Sequence, residues 1–480
     1  MKNITEIPAH ELGKMVYDKA ISPVEVIQEF KSKIEEKNPE LNAFVYTKFD
    51  EALEVAEEQK KQLDAGETLG MFVGCPIALK DFLPTKKGWP ASHGGVPSLI
   101  TVDEYDSEFW KAAKKLGCIA IGKTNAPAFG FRGITDNKMY GPTKNPYNTE
   151  YNSGGSSGGS ASAVGGKLTP LALGGDAGGS IRIPAAWCGC FGFKPSARVV
   201  PDVCRPDAWT ATHPYCCDGP ITRSVKDAAI MMNHAVHYDP RDPLSVPLKF
   251  DFMNAINRPA SDLTVGITYN FDLFPDPDPQ IIRAINMIID QLKEIGINYK
   301  YVKFNFNNPI EDYQNAWLQG ICIDTAIEAE LTKDQLDLYS LGDELPDKFY
   351  EWNKKAFESS VMDYRKFHEI RTDILDAHLN VFKDVDIIIA PVTGCLPVKN
   401  ATDGTLTKGP EYINNVKVDP LIGFGYTYLE NMIGTPAAAF SVTYSVKENL
   451  PIAIQVIGKR YRDEDVFTLC AALENYTKEA

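Results

Sequence analysis

Ser153-Gly154-Gly155-Ser156-Ser157-Gly158-Gly159-Ser160 is followed by Ala161-Ser162-Ala163-Val164 and by an apolar run, Leu168 to Leu173. A second cluster comes at once: Gly174-Gly175-Asp176-Ala177-Gly178-Gly179-Ser180-Ile181-Arg182-Ile183-Pro184. Alone, the first cluster has the composition of a flexible linker. The second argues otherwise, because a linker does not run into a buried strand that ends in another glycine-rich turn. Two such turns around one helix and one strand read as backbone bent tightly around a site.

Working outward, short apolar runs alternate with helical patterns. The runs are Phe72 to Leu79, Cys118 to Gly122, Leu263 to Ile267, Asp386 to Ala390 and Ile452 to Ile457. Between them lie helical stretches such as Ser107 to Leu116, Val225 to Ala235 and Pro279 to Ile295. This alternation predicts an α/β fold with a largely parallel, buried sheet. Residues 8 to 60 read as helical, with Ser22 as N-cap and Pro23 in the first turn of one helix. No linker or charge block divides the chain. A single domain over residues 1–480 is expected, with a helical subregion at about 300–380.

Composition narrows the function. Of 480 residues, 49 are basic and 64 acidic, for a formal charge of −15. That balance disfavours nucleic acid and anionic membrane as partners, since both are held by clustered Lys and Arg. The N-terminus lacks the apolar segment of a signal peptide, and no run of about 18 apolar residues would span a bilayer. The ten cysteines then read as reduced thiols in a cytoplasm. The pairs Cys188/Cys190 and Cys216/Cys217 lack the spacing of zinc ligands, and no metal or cofactor is expected.

Three motifs compete for the glycine clusters. Gly166-Lys167 is followed by Leu168 rather than Ser or Thr, so no phosphate loop forms. Asp176 interrupts a dinucleotide fingerprint. Gly155-Ser156-Ser157-Gly158-Gly159 matches a nucleophile elbow formally, but residues 145–152 before it do not read as a strand. Ser180, just past a strand and just before a helical turn, remains. The amides of Ala177, Gly178, Gly179 and Ser180 would converge there as an anion nest for a tetrahedral oxyanion.

A serine needs a base. None of the seven histidines lies in a recognisable catalytic motif: His10, His93, His213, His234, His237, His368 and His378. Lys80, ending Gly74-Cys75-Pro76-Ile77-Ala78-Leu79-Lys80-Asp81, reads either as a surface lysine or as one carried to the sheet's carboxyl edge. Moving a lysine from its usual 10.4 to near 7.5 requires about 4 kcal/mol of bias against the charged form. Partial burial with a nearby positive group would supply it.

The chain resembles the amidase signature family of serine hydrolases. The matching segments are Asn38 to Phe44, Gly74 to Asp81, Gly122-Lys123-Thr124-Asn125, Gly141 to Pro146 and both glycine–serine clusters. Gly192 to Pro195, Gly219 to Val225, Gly434 to Ala437 and Pro451 to Gly458 continue the match. The resemblance implies a central mixed, mostly parallel twisted sheet covered by helices on both faces, with a signature core at about 70–230. It implies a Ser–Ser–Lys triad: nucleophile Ser180, bridging Ser156 on a cis peptide bond, and base Lys80. The two serines stand 24 residues apart, as in the family. Ser157, Asp176 and Arg182 are the expected supporting residues. Two segments depart from the pattern: Gly174-Gly175-Asp176-Ala177 replaces Gly-Thr-Asp-Thr, and Ser153 replaces Pro.

The implied function is hydrolysis of an amide of a small molecule through an acyl-enzyme, by a monomer or homodimer. The alternative is the glutaminase component of a tRNA-dependent amidotransferase. The segment 310–380 is more similar to the cyclic oligoamide hydrolase branch than to that component. Trp317, Cys322 and Asn125 are the expected pocket residues.

Overall fold

The computed structural model describes residues 3–205, 207–209, 216–334, 336–346 and 348–479. One sheet of eleven strands organises them. In chain order these are β1 (Phe44–Thr47), β2 (Pro76–Lys80), β3 (Ile119–Thr124), β4 (Leu171–Asp176), β5 (Phe191–Lys194) and β6 (Cys217–Thr222). Then come β7 (Thr264–Ile267), β8 (Asn298–Tyr301), β9 (Ile387–Pro391), β10 (Ala437–Tyr444) and β11 (Pro451–Gly458). Their spatial order is β1-β3-β2-β4-β6-β5-β10-β11-β9-β7-β8.

The mixed α/β sheet follows the expectation, but its parallel majority does not. Only four of the ten neighbouring pairs are parallel, in two blocks of three strands: β3-β2-β4 and β9-β7-β8. The remaining pairs, including β10-β11 and the contacts of β6, are antiparallel. A short connection suffices for an antiparallel pair, as between Tyr444 and Pro451, whereas parallel pairing needs a crossover.

Alternate residues of each central strand enter different cores. Ile77, Leu79, Leu171, Leu173, Ile387 and Ile389 join one apolar cluster. Ala78, Ala172, Ile388 and Ala390 join the other. Both faces are therefore covered, which is why these strands read as continuous apolar runs rather than alternating ones. The first face is closed by helices that include Glu108–Lys115, Val225–Ala235, Pro279–Glu294 and Asp463–Glu479. Lys80 has the parity of Ala78, so its side chain enters the second layer. The helices Gly158–Gly165, Arg182–Trp187, Ile310–Thr332 and Val361–Val381 lie there.

The helix Pro23–Leu41 starts as its sequence predicts. Ser22 accepts from Glu25 N, and the Glu25 side chain accepts from Ser22 N, closing a capping box. Residues 300–380 are largely helical, as expected, carrying Ile310–Thr332, Phe349–Glu358 and Val361–Val381. Among the described residues, no helix is long and apolar enough to cross a membrane.

Candidate active site

Parallel strands β2 and β4 are neighbours, so their carboxyl ends open at one edge of the sheet. There β2 ends on Lys80 and β4 ends on Asp176, leading into Ala177–Ser180. The first glycine–serine cluster supplies the turn before the helix Gly158–Gly165, whose residues 158–164 are all buried. Its composition is that of a linker, but its small side chains let the helix lie close against β2 and β4. Ser160 Oγ donates to Leu173 O at 3.1 Å and lies 2.7 Å from Thr124 Oγ1.

Lys80 Nζ lies 2.7 Å from Ser156 Oγ. Lys80 is 3% exposed and Ser156 1%. The Gly155–Ser156 peptide is cis. Burial lowers the Lys80 pKa to about 8. The expected positive neighbour does not contribute to that shift: Cys216, Asp218, Asp176 and Asp81 all act the other way. Desolvation alone therefore disfavours the ammonium. The Phe82 ring, 4.9 Å from Nζ, forms part of the dry surroundings.

Ser180 is half-buried, at the cavity's surface. Its loop is clamped from behind by Asp176 and Arg182. Arg182 donates to Asp176 through Nε at 2.9 Å and Nη2 at 3.0 Å, and Asp176 also accepts from Gly179 N at 2.7 Å and Ile181 N at 3.2 Å. Burial would raise the Asp176 carboxyl, but the Arg182 guanidinium overrides it and holds the group well below the usual carboxylate range. Asn431 donates to both the carbonyl and the carboxylate of Asp176, and Gln455 accepts from Arg182. Gly179 has φ +125°, and a Cβ there would lie 2.1 Å from Thr427 Oγ1. Glycine is required on both counts. Asp176→Asn removes one partner of a fully buried ion pair and is expected to cost about 3–5 kcal/mol of stability, read from the urea unfolding midpoint.

The four predicted oxyanion donors do not stand alike. The Gly179 amide is already engaged by Asp176. The amides of Ala177, Gly178 and Ser180 make no hydrogen bond among the described residues. Ser157 N–H donates to Ser180 O at 3.0 Å, so Ser157 holds the Ser180 backbone, while its own hydroxyl reaches Gly175 O at 3.4 Å.

Lys80, Ser156, Ala177, Gly178 and Ser180 line one cavity. Its walls are largely apolar: Phe82, Phe129, Phe131, Ile183, Trp317, Ile321, Leu421, Ile422 and Phe424. Of the three expected pocket residues, only Trp317 is there. Cys322 lies about 140° further round the same helix and is fully buried in the core, while Ile321 and Asp324 face the cavity instead. Asn125 is also buried away from the cavity. Its amide donates to Thr143 Oγ1 and Gly141 O, and its Oδ1 accepts from Asn137 Nδ2 at 2.7 Å, so it braces the neighbouring loops. None of the six described histidines lines the cavity, and His213 lies outside the described residues.

One group among the described residues has the spacing of metal ligands, Glu108, His237 and Asp239. Arg241 already bridges Glu108 and Asp239, and all four stand apart from the cavity.

Thr427, Asn431 and the aromatic walls were not legible as site residues. Gln455 carried a signal, as a lone amide inside the apolar run Pro451–Gly458. A buried polar group requires a buried partner, here Arg182.

A covered sheet that delivers a desolvated lysine and two serines to one apolar cavity defines an amide hydrolase. The chain belongs to the amidase family: the family model described as Amidase matches residues 25–467. It is 28% identical over 476 residues to an acylamidase of Rhodococcus erythropolis, with 98% of this chain and 96% of that protein covered. It is 30% identical over 495 residues to one component of the Glutamyl-tRNA(Gln) amidotransferase of Sulfurihydrogenibium sp. (strain YO3AOP1), covering 98% and 97%. The crystal structure of a bacterial aryl acylamidase superposes with a TM-score of 0.93 at 37% identity, covering 98% of this chain and 96% of that one. A 6-aminohexanoate cyclic dimer hydrolase shares the fold, with a TM-score of 0.84, 22% identity, and 99% and 98% covered. The protein is an amidohydrolase acting on small-molecule amides.

Proposed function

We propose that the chain cleaves aryl amides through an acyl-enzyme on Ser180, with Ser156 as proton bridge and neutral Lys80 as base. The observation that carries this reading is the 2.7 Å approach of Lys80 Nζ to Ser156 Oγ in a buried setting that lowers the amine's pKa to about 8. Lys80 takes the Ser156 proton as Ser156 takes that of Ser180. The Ser180 oxygen bonds the amide carbon, and the resulting oxyanion is stabilised by the amides of Ala177, Gly178 and Ser180. Collapse breaks the C–N bond, and the proton returns through Ser156 to the departing nitrogen. Water then attacks the ester along the same relay, releasing the carboxylic acid and restoring Ser180.

The aromatic walls support an aryl substrate, as does the 37% identity to a structure described as an aryl acylamidase. One sheet with strands from residue 44 to residue 458 supports reading residues 1–480 as a single amidase domain. Ten free thiols fit a reducing cytoplasm, and the reading takes the chain to act without other proteins, as a monomer or homodimer.

The amidotransferase reading has its own support in the 30% identity to a component of such a complex. The two separate on a panel of anilides, aliphatic amides, esters and glutamine, given to the purified chain alone. Turnover of anilides well above that of glutamine is expected. Glutamine hydrolysis appearing only with added partner proteins would favour the amidotransferase.

A further inference from the structure

The loop Asp176–Ser180 is held in place by its carbonyl groups. The Asp176 carbonyl accepts from Asn431 Nδ2 at 2.8 Å, that of Gly178 from Thr427 Oγ1 at 2.6 Å, and that of Gly179 from Ile183 N at 2.7 Å. The Ser180 carbonyl accepts from Ser157 N. The remaining carbonyl, that of Ala177, accepts from the indole Nε1–H of Trp317 at 3.0 Å.

A trans peptide is planar, and its N–H points opposite to its C=O. Fixing the Ala177 carbonyl therefore fixes the Gly178 N–H, which has no acceptor of its own among the described residues. The indole also lies flat against that residue. A Cβ on Gly178 would sit 2.8–2.9 Å from Trp317 Cζ2, Cε2 and Nε1, so only glycine leaves room for the ring. Trp317 is 8% exposed and lines the cavity from the long helix Ile310–Thr332. This helix belongs to the subregion that builds the pocket, outside the glycine–serine core.

We propose that Trp317 is a positioning residue for the oxyanion site: its indole N–H sets the Ala177–Gly178 peptide so that the Gly178 amide faces the developing oxyanion. The inference rests on Ser180 being the nucleophile. Through it the substrate-binding helix is tied to the charge-stabilising loop by one hydrogen bond. The benzene edge of the same side chain contributes apolar wall, and the two roles are separable because only one needs the nitrogen.

The test compares the parent with Trp317→Phe and with a chain carrying benzothienylalanine at position 317, an isostere of tryptophan with sulfur in place of N–H. Anilide kinetics are measured, together with the rate at which an aryl fluorophosphonate labels Ser180, located by peptide mass spectrometry. Losing one preorganised donor outright costs about 10²–10³-fold in kcat, so a donor left in place but unaligned is expected to cost about 10–100-fold. In both variants kcat and the labelling rate should fall together, with KM within about threefold of the parent. If Trp317→Phe fails to fold, the isostere decides alone, since it preserves the packing. Unchanged kcat and labelling in the isostere, or a rise in KM alone, would overturn the proposal and leave Trp317 as wall. Absence of label on Ser180 in the parent would instead refute the nucleophile assignment on which the proposal rests.

Discussion

Ser180→Ala is expected to lower kcat for a good anilide substrate by about 10⁶-fold, the scale seen when the serine of a catalytic unit is removed. Two features make the effect this large. Ser180 lines the cavity at the end of a loop whose Ala177 and Gly178 amides are unengaged among the described residues. The residues that clamp the loop, Asp176, Arg182 and Asn431, make their contacts through groups other than the Ser180 hydroxyl, so the alanine variant should keep the parent fold and bind substrate. Stopped assays with high enzyme and a thermal melt check both halves. Residual activity within about tenfold of the parent would mean that Ser180 is not the attacking group.

Removal of Lys80 is the second large effect. A general base contributes about 10²–10⁴-fold, so Lys80→Met should lose that much in kcat/KM. In the parent, only the neutral amine can accept a proton. With the pKa at about 8, kcat/KM should fall about tenfold for each pH unit below that value and level off above it. The same burial has a consequence for stability. A lysine whose charged form is disfavoured in the fold, but not in the unfolded chain, destabilises the protein wherever the unfolded chain is protonated, and the penalty changes with pH only where the two states differ in protonation. Below about pH 8 both states carry the proton and the penalty is present in full; between about pH 8 and the ordinary lysine value the folded amine is neutral while the unfolded one is still charged, so the penalty shrinks as pH rises and is gone above that value. Replacing the buried amine by an apolar side chain of similar length removes the cost of burying it. Lys80→Met should therefore be inactive yet more stable at pH 7, by about 3 kcal/mol at most. A variant both inactive and strongly destabilised would show that the ammonium is not desolvated in the parent.

The three residues proposed as the triad were legible in the sequence because each occupies a local motif. Lys80 ends an apolar strand, and the two serines sit in glycine turns on either side of another strand. Sequence spacing then maps directly onto neighbouring positions at one sheet edge. The pocket was not legible in that way. Phe131, Trp317 and Phe424 come from segments far apart in the chain, and only the fold brings them together. Cys322 and Trp317 were indistinguishable by proximity in sequence, but the helical turn places them on different faces. Asn125 lies in a matching motif whose role proves to be loop bracing.

The strands show a similar division. Phe191–Lys194 is only four residues long, and Cys217–Thr222 contains Gly219 and Pro220, residues that read as a turn. Edge strand Asn298–Tyr301 is mostly exposed and carries no apolar alternation. These short or irregular strands hold their places by pairing with neighbours, and pairing is invisible to local pattern. The expectation of a mostly parallel sheet has the same origin, since β5, β6 and β10 take part only in antiparallel pairs and none of them stands out as a strand by pattern.

The most direct test is the titration of residue 80 itself. In the Ser180→Ala chain with ¹⁵N-labelled lysine, Lys80 is assigned by its loss in Lys80→Met, and its amine is followed by NMR from pH 6 to 11. A midpoint near 8 is predicted. A midpoint near the 10.4 of a solvated lysine would contradict the account, because the group meant to accept the proton would then be charged throughout the working range.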